Sequence, residues 1–525
     1  MKKKRARAAG PPTLVAVRRR LEDDEHGQRR LDVTQRAQLC EKNSRCTFLL
    51  RALTALVAAV LCQLALAQQP APATAASPPP TTLFQNVRIF DGKSATLSAP
   101  SYVLVRGNKI ATISTRPIAV DQVADARIIE GGGRTLMPGL SDMHWHAILA
   151  RPTPAVVLTS DIGYTTLLAA AEATATLMRG FTTVRDMGGP SFSLKRAIDE
   201  GLLPGPRIYP SGAIITVTSG HGDFRQLTEL PRTAGTLSHV EELGGSMIAD
   251  SPDEVRVRVR EQLMQGASQI KLTAGGGVAS PFSPLDVTTF TEPELRAAVE
   301  AAENWGTYVA THAYTSDSVQ RSIAAGVKVI EHAHLIDEAT ARLMAEKGIW
   351  LSTQPFVDLA GAAALGPEEQ AKMKEVVNGT DKLYALAKKY RIRTAFGTDV
   401  LFSQALAERQ GSSLVDMTRW YTPAETLIMA TSQNAELLTL SGRRNPYPGK
   451  LGVVEEDAYA DLLLVDGNPL ENIELVKDPG SNFLVIMKDG KIYKDVLPRS
   501  GVTSTPQAGV PQGARAEEVS SPSMR

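Results

Sequence analysis

The chain has 525 residues, 22% charged and 43% hydrophobic, with a formal charge of +1, a soluble globular balance long enough for one large barrel or two to three ordinary domains. The charge is uneven: residues 1–67 carry fourteen Lys/Arg against six Asp/Glu, which leaves −7 over residues 68–525, and a mildly acidic body gives no reason to expect a nucleic-acid partner. All three cysteines (Cys40, Cys46 and Cys62) lie in that leading segment, so the remainder has neither disulfide staples nor thiolate metal ligands.

In chain order, residues 1–43 are charged and unpatterned. Arg45 and Arg51 then flank an apolar region at about 46–67 that ends in the small-x-small step Ala65-Leu66-Ala67. This reads as a secretory signal peptide rather than a membrane span, because the apolar run is short and gives way at once to a Pro/Ala-rich linker at 68–81. It implies export, to a periplasm, with no stable membrane span in the mature form. Residues 82–138 contain TLFQNVRIFDG, SYVLVRGNKIATIS and ARIIEGGGRTLMPG, short β-branched runs broken by turn dipeptides. The same texture returns within 446–498, in YADLLLVDGNPL and FLVIMKDGKIYKDV. One small β-domain built from both ends is the simplest reading. Residues 499–525 have the composition of a disordered tail.

The interval 139–445 repeats strand-then-helix text. Candidate strands are 136–146, 181–187, 206–215, 268–274, 307–314, 327–334, 349–355 and 393–399, and helical segments such as DEVRVRVREQLMQGA and EPELRAAVEAAENWG close on glycine. Eight such units point to an α/β fold of the (β/α)8 TIM-barrel type, with a doubly wound sheet as the alternative. The connection from Gly222 to about Pro252 is long for such a unit and is expected to form a partly ordered lid over the mouth.

Polar residues gather at the strand ends. His144 and His146 lie two apart, the spacing that puts both on one face of a strand. Lys271 ends the fourth strand, His312 the fifth, His332 the sixth and Asp399 the eighth. Five of the seven histidines beyond the leader (with His334 the fifth) sit at three strand ends, which is not how scattered core or surface histidines fall. Nitrogen and oxygen donors without thiolates suit Zn²⁺, Mn²⁺, Co²⁺ or Fe²⁺. Lys271 is the odd member, since an ammonium repels a cation unless it is deprotonated or modified.

With the ligand text PGLSDMHWH and the texts TTVRDMGG, QIKLTAGGGVASP, THAY, IEHAHLID and AFGTD, nearly all of residues 82–498 resembles the metal-dependent amidohydrolase superfamily. Within it the branch is that of imidazolonepropionase-like and Xaa-Pro dipeptidase or carboxypeptidase enzymes, including ochratoxin-degrading amidohydrolases. The resemblance implies a composite β-sandwich from 82–138 and 446–498 beside the barrel, and two divalent metal ions, Zn²⁺ by preference. It implies that Lys271 is carboxylated (N6-carboxylysine) and bridges the two metals, that His144, His146 and Asp399 hold one, and that His312 and His332 hold the other. It also implies homo-oligomers and a metal-bridging hydroxide that attacks an amide carbonyl, with Asp399 as general base and then acid. His221, in TVTSGHGD, is the candidate for the oxyanion or substrate, against a capping role. Tyr314 and Arg185 are candidate substrate contacts, although for Arg185 and Asp186 a structural pair is the simpler reading. The glycines 275–277 lack a following Gly-Lys-Ser/Thr, so close backbone packing accounts for them better than a phosphate loop. The expected reaction is hydrolysis of a small peptide or N-acyl-amino-acid bond. Alternatives are a cyclic-amide, imidazolonepropionase-like hydrolase and a non-catalytic binding barrel, which predicts a broken ligand set.

Overall fold

A computed structural model describes residues 79–119, 126–231, 235–362 and 365–498. The leader and signal segment (1–67), nearly all of the linker (68–81) and the tail (499–525) lie outside the described residues. Among the described residues no helix is long and apolar enough to cross a membrane.

The strand-like N-terminal text forms β1 (Thr81–Ile89), β2 (Ser101–Arg106), β3 (Lys109–Ser114), β4 (Arg127–Glu130) and β5 (Thr135–Pro138). The repeating middle contributes β6 (Leu140–Trp145), β7 (Phe181–Asp186), β8 (Arg207–Pro210), β9 (Ile214–Thr216), β10 (Ser246–Ile248), β11 (Ile270–Thr273), β12 (Val309–Thr315), β13 (Val329–Leu335), β14 (Trp350–Thr353) and β15 (Thr394–Phe396). The C-terminal text contributes β16 (Leu462–Val465), β17 (Phe483–Lys488) and β18 (Lys491–Asp495).

The two ends of the chain share one mixed sheet, in the order β18-β17-β16-β5-β1-β2-β3 with β4 beside β1. The place of β16 in it accounts for a text, LLLV, without polar alternation. Leu462 and Leu464 pack into a cluster with Phe84, Val103 and Met487, while Leu463 and Val465 face a second cluster with Phe181, Leu177 and Phe396. Successive side chains leave opposite faces of a strand, and here both faces are covered, so every position is apolar.

The middle strands pair in parallel as two runs, β6-β7-β8 and β10-β9-β11-β12-β13-β14-β15. Backbone hydrogen bonds link the runs, among them Ser268 N–H to Pro210 O at 2.8 Å and Asp399 N–H to His144 O at 2.7 Å. The expected helices lie between the strands, among them Ile162–Met178, Pro252–Gln265, Glu292–Trp305 and Ser316–Ala325. Gly266, Gly306 and Gly326 close three of them in the left-handed conformation that favours glycine.

The third unit departs from expectation. Residues 206–215 form two strands, not one, because the chain turns at Ser211-Gly212, where Gly212 has φ +74°. Within the long 222–252 connection, β10 pairs with β9 and a short helix spans His239–Glu242, so part of the expected lid is woven into the sheet.

The mixed sheet is fastened to the parallel strands by a buried charge cluster. Arg207 on β8 donates to Asp461 through Nε at 2.9 Å and through its terminal nitrogen at 3.2 Å, and to Asp489 at 2.6 Å. Arg207 and Asp461 are each 5% exposed, so removing one partner strands the other charge away from water. Arg207→Ala is expected to lower unfolding free energy by about 3–5 kcal/mol, read from the denaturant midpoint. A change below about 1 kcal/mol, the range of exposed pairs, would show that the cluster does not fasten the two parts.

Candidate metal centre

Each of the four strand-end imidazoles has one nitrogen engaged and the other left over. His146 Nδ1 lies 3.3 Å from Gly188 O, His312 Nε2 lies 2.8 Å from Gly276 O, and His332 Nδ1 lies 2.7 Å from Gln354 Oε1. His144 Nδ1 sits between Glu331 Oε2 at 2.9 Å and Gln354 Nε2 at 3.3 Å. The Glu331 oxygen makes no hydrogen bond and acts on His144 through its charge, whereas Gln354 Nε2 is within hydrogen-bond distance of Nδ1. A carbonyl or carboxylate holding one N–H leaves the other nitrogen as a lone pair, the state of a metal-binding histidine. Burial holds His144, His312 and His332 well below the usual histidine pKa, with Lys271 adding to the effect in each. They are therefore neutral donors.

His144 and His146 converge with Asp399. Ligand atoms of His144, His146 and Asp399 all lie within 4.8 Å of one another, with Asp399 Oδ1 3.4 Å from His144 Nε2 and 3.2 Å from His146 Nε2. The His332 ring centre is 4.9 Å from that of His144 and 4.4 Å from that of His312. Lys271 Nζ reaches 3.4 Å from His144 Nε2. Burial lowers the lysine to about 8, against the pull of Glu331 and Asp399, so the neutral amine is accessible near neutral pH. Burial works against the Asp399 charge, but the surrounding polar groups, Lys271 among them, outweigh it and hold the carboxyl below its usual range. A buried set of imidazoles and one carboxylate is a donor set that fits a divalent cation.

The backbone is bent to make this possible. His332, Ala333 and Asp399 have φ of +76°, +59° and +50°, conformations that non-glycine residues rarely adopt and that cluster at functional sites. The first two coincide with a register shift between Ala313 and Thr315 where β12 meets β13, a bulge that re-aims side chains. Gly397 lets β15 press on β6, since a Cβ there would lie 2.5 Å from His144 N.

The amidohydrolase family profile matches residues 135–493, most of the described chain and every residue of this centre. The chain belongs to the amidohydrolase family. Among relatives, the amidohydrolase is 32% identical to the ochratoxinase of Aspergillus niger over 334 residues, 61% of this chain and 66% of that protein's length. It is 36% identical to the crystal structure of another amidohydrolase (TM-score 0.73, covering 80% of this chain and all of the other). It is 33% identical to that of a prolidase complexed with N-methylphosphonate-L-proline (TM-score 0.72, covering 79% of this chain and all of the other).

Beside the ligands, the amidohydrolase has a cavity of about 190 Å³ bordered by His221, His312, Tyr314, Phe356, Asp399 and Arg409. It shares Ala279, Leu365 and Phe402 with a recess of about 550 Å³ lined by Val157, Phe224, Leu227 and Phe282, so the 222–252 connection does border the mouth. His221 stacks on His312 with ring centres 4.1 Å apart, and Tyr314 stands 5.1 Å from His332. Burial lowers His221 to about 3. His334 donates its Nε2 proton to Gln354 O at 3.1 Å and leaves Nδ1 without a partner. Trp145 faces away from the ligands, among Val157, Ala173 and Val184.

Arg185 does not border either cavity. It is fully buried beneath the ligands and donates to Glu331 at 2.6 Å, Met143 O at 2.7 Å, Ser352 at 3.0 Å and Tyr308 at 3.1 Å. Its ion-pair partner is Glu331, not the neighbouring Asp186, whose carboxylate accepts from the Ala147 and Gly188 amides. The glycines 275–277 do mark close packing, against His221 and Pro284 rather than against Lys271.

Sequence reasoning passed over the residues that hold the ligands. Glu331 and Gln354 anchor histidines, and Asp142 accepts from the His144 and Thr398 amides at 3.0 Å each and from Gln410 at 2.9 Å. The signal for Glu331 was a carboxylate inside an apolar strand, and for Gln354 its place at the seventh strand end. Glu331→Gln is expected to weaken divalent-metal affinity by about 10–100-fold, measured by chelator competition. Unchanged affinity would mean that Glu331 serves Arg185 alone.

Proposed function

We propose that this amidohydrolase is an exported, binuclear metal-dependent hydrolase, built on a closed (β/α)8 barrel, that cleaves a peptide or N-acyl-amino-acid amide bond. The observation that carries the reading is the buried pair His144 and His146 converging on Asp399 beside a cavity. The names of its relatives, a prolidase and an ochratoxinase, support an amide substrate. His144, His146 and Asp399 would hold one metal, His312 and His332 the other, and a carboxylated Lys271 would bridge them. Two divalent ions, Zn²⁺ by preference, supply when bound a water of lowered pKa and an electrophile for the carbonyl oxygen.

The chain's own groups do the rest. Asp399, ionised and on the cavity wall, accepts the proton of the attacking water and delivers it to the departing amide nitrogen, which cannot leave as an anion. His221 and Tyr314, on the same wall, offer N–H and O–H donors to the carbonyl oxygen or the substrate carboxylate. The apolar recess between Val157 and Phe282 accepts the acyl side of the substrate. The apolar leader supports export.

The test is chelation followed by restoration with Zn²⁺ or Co²⁺, assayed on Xaa-Pro and N-acyl-phenylalanine substrates. Activity is expected to vanish and return, and Asp399→Asn is expected to lower kcat by about 10²–10⁴-fold. Absence of metal-dependent turnover on any amide would overturn the proposal. Turnover of a cyclic amide alone would favour the ring-opening alternative.

A further inference from the structure

His221 has a second partner that the catalytic reading does not use. Its Nδ1 lies 2.8 Å from Ser280 Oγ, and Nε2, on the cavity side, has no hydrogen bond among the described residues. Ser280 is buried, and its hydroxyl oxygen also accepts from the Gly222 amide at 3.2 Å. A serine hydroxyl has one proton to give and two lone pairs. Gly222 takes a lone pair, and among the described residues no acceptor other than His221 Nδ1 is recorded for the proton. If His221 instead donated from Nδ1, the buried hydroxyl proton of Ser280 would be left unpaired, a state that buried polar groups avoid.

We propose that Ser280 is a positioning residue: its hydroxyl donates to His221 Nδ1 and holds the imidazole in the tautomer that presents Nε2–H to the cavity. The surroundings keep this pair in register. Lys372, buried on the helix Pro367–Tyr390, donates to Ser280 O at 3.0 Å and Ser283 O at 3.1 Å, fixing the loop that carries the hydroxyl. Thr216 donates to His221 O at 2.8 Å. Gly277 leaves room for the ring, since a Cβ there would overlap its Nδ1. The tautomer of a histidine is set by the bond its other nitrogen makes. Here the result is a preorganised donor where a tetrahedral intermediate would place its oxyanion; that last step alone rests on the proposed amide hydrolysis.

The test uses the full chain labelled with ¹⁵N-histidine and freed of metal, with the His221 signals assigned by their loss in His221→Gln. The wild-type protein is expected to show a pyridine-type Nδ1 and a pyrrole-type Nε2. Ser280→Asp, whose carboxylate can only accept, is expected to reverse them. In the metal-loaded enzyme, Ser280→Ala is expected to lower kcat by about 10-fold or more with KM within about two-fold, Ser280→Asp to fall further, and Ser280→Thr to recover most of the loss. A pyrrole-type Nδ1 in the wild-type protein, or a Ser280→Ala enzyme with unchanged tautomer and kcat, would overturn the assignment. Should no amide be turned over, the function proposed above falls, while the spectra still decide the tautomer.

Discussion

One buried carboxylate holds the strands around the candidate metal centre in place. Glu331 points one oxygen at Arg185 and the other at His144, and Arg185 in turn binds the Met143 carbonyl, Tyr308 and Ser352. Through this pair β6, β7, β13 and β14 are tied together directly below the ligands. A buried ion pair is a poor source of net stability, because desolvation of both charges offsets their attraction. Its value here is geometric. It places a negative charge behind His144, while the guanidinium balances that charge in the buried space below the site.

The same logic recurs around the centre. Gln354 holds His332 through its side chain and His334 through its backbone, Gly276 holds His312, and Asp142 fixes the amides of His144 and Thr398. His146, His312 and His332 are thus each oriented by an acceptor on a different strand or loop. Left-handed backbone at His332, Ala333 and Asp399 is tolerated because these contacts over-determine it. The mixed sheet and the Arg207 cluster have no direct part in the site; they close the other side of the core with apolar area and a buried pair.

Much of this was legible in the residues. The strand-then-helix period, the glycine helix stops and the two-ended β-sheet are local patterns, and they survive because local propensity and tertiary packing agree. The pair His144 and His146 was legible because histidines two apart share one face of a strand, and the ends of successive parallel strands bring further histidines close to it. What escaped was whatever depends on contacts between distant elements. Glu331 and Arg185 lie 146 positions apart, so nothing in the text around Arg185 told that it faces a carboxylate under the site rather than Asp186 beside it. The split of residues 206–215 into β8 and β9, and the pairing of β10 with β9, escaped for a related reason: both turn on a backbone bend at Gly212 and on a strand from inside a long connection.

The central claim is that His144, His146, Lys271, His312, His332 and Asp399 form one centre for two ions. Counting bound metal on the purified, catalytically active enzyme by elemental analysis tests it most directly. The account predicts two equivalents per chain in the wild-type enzyme and at most one after replacement of His312 and His332 together. A fully active enzyme holding a single equivalent, or one that keeps both after that replacement, would contradict it.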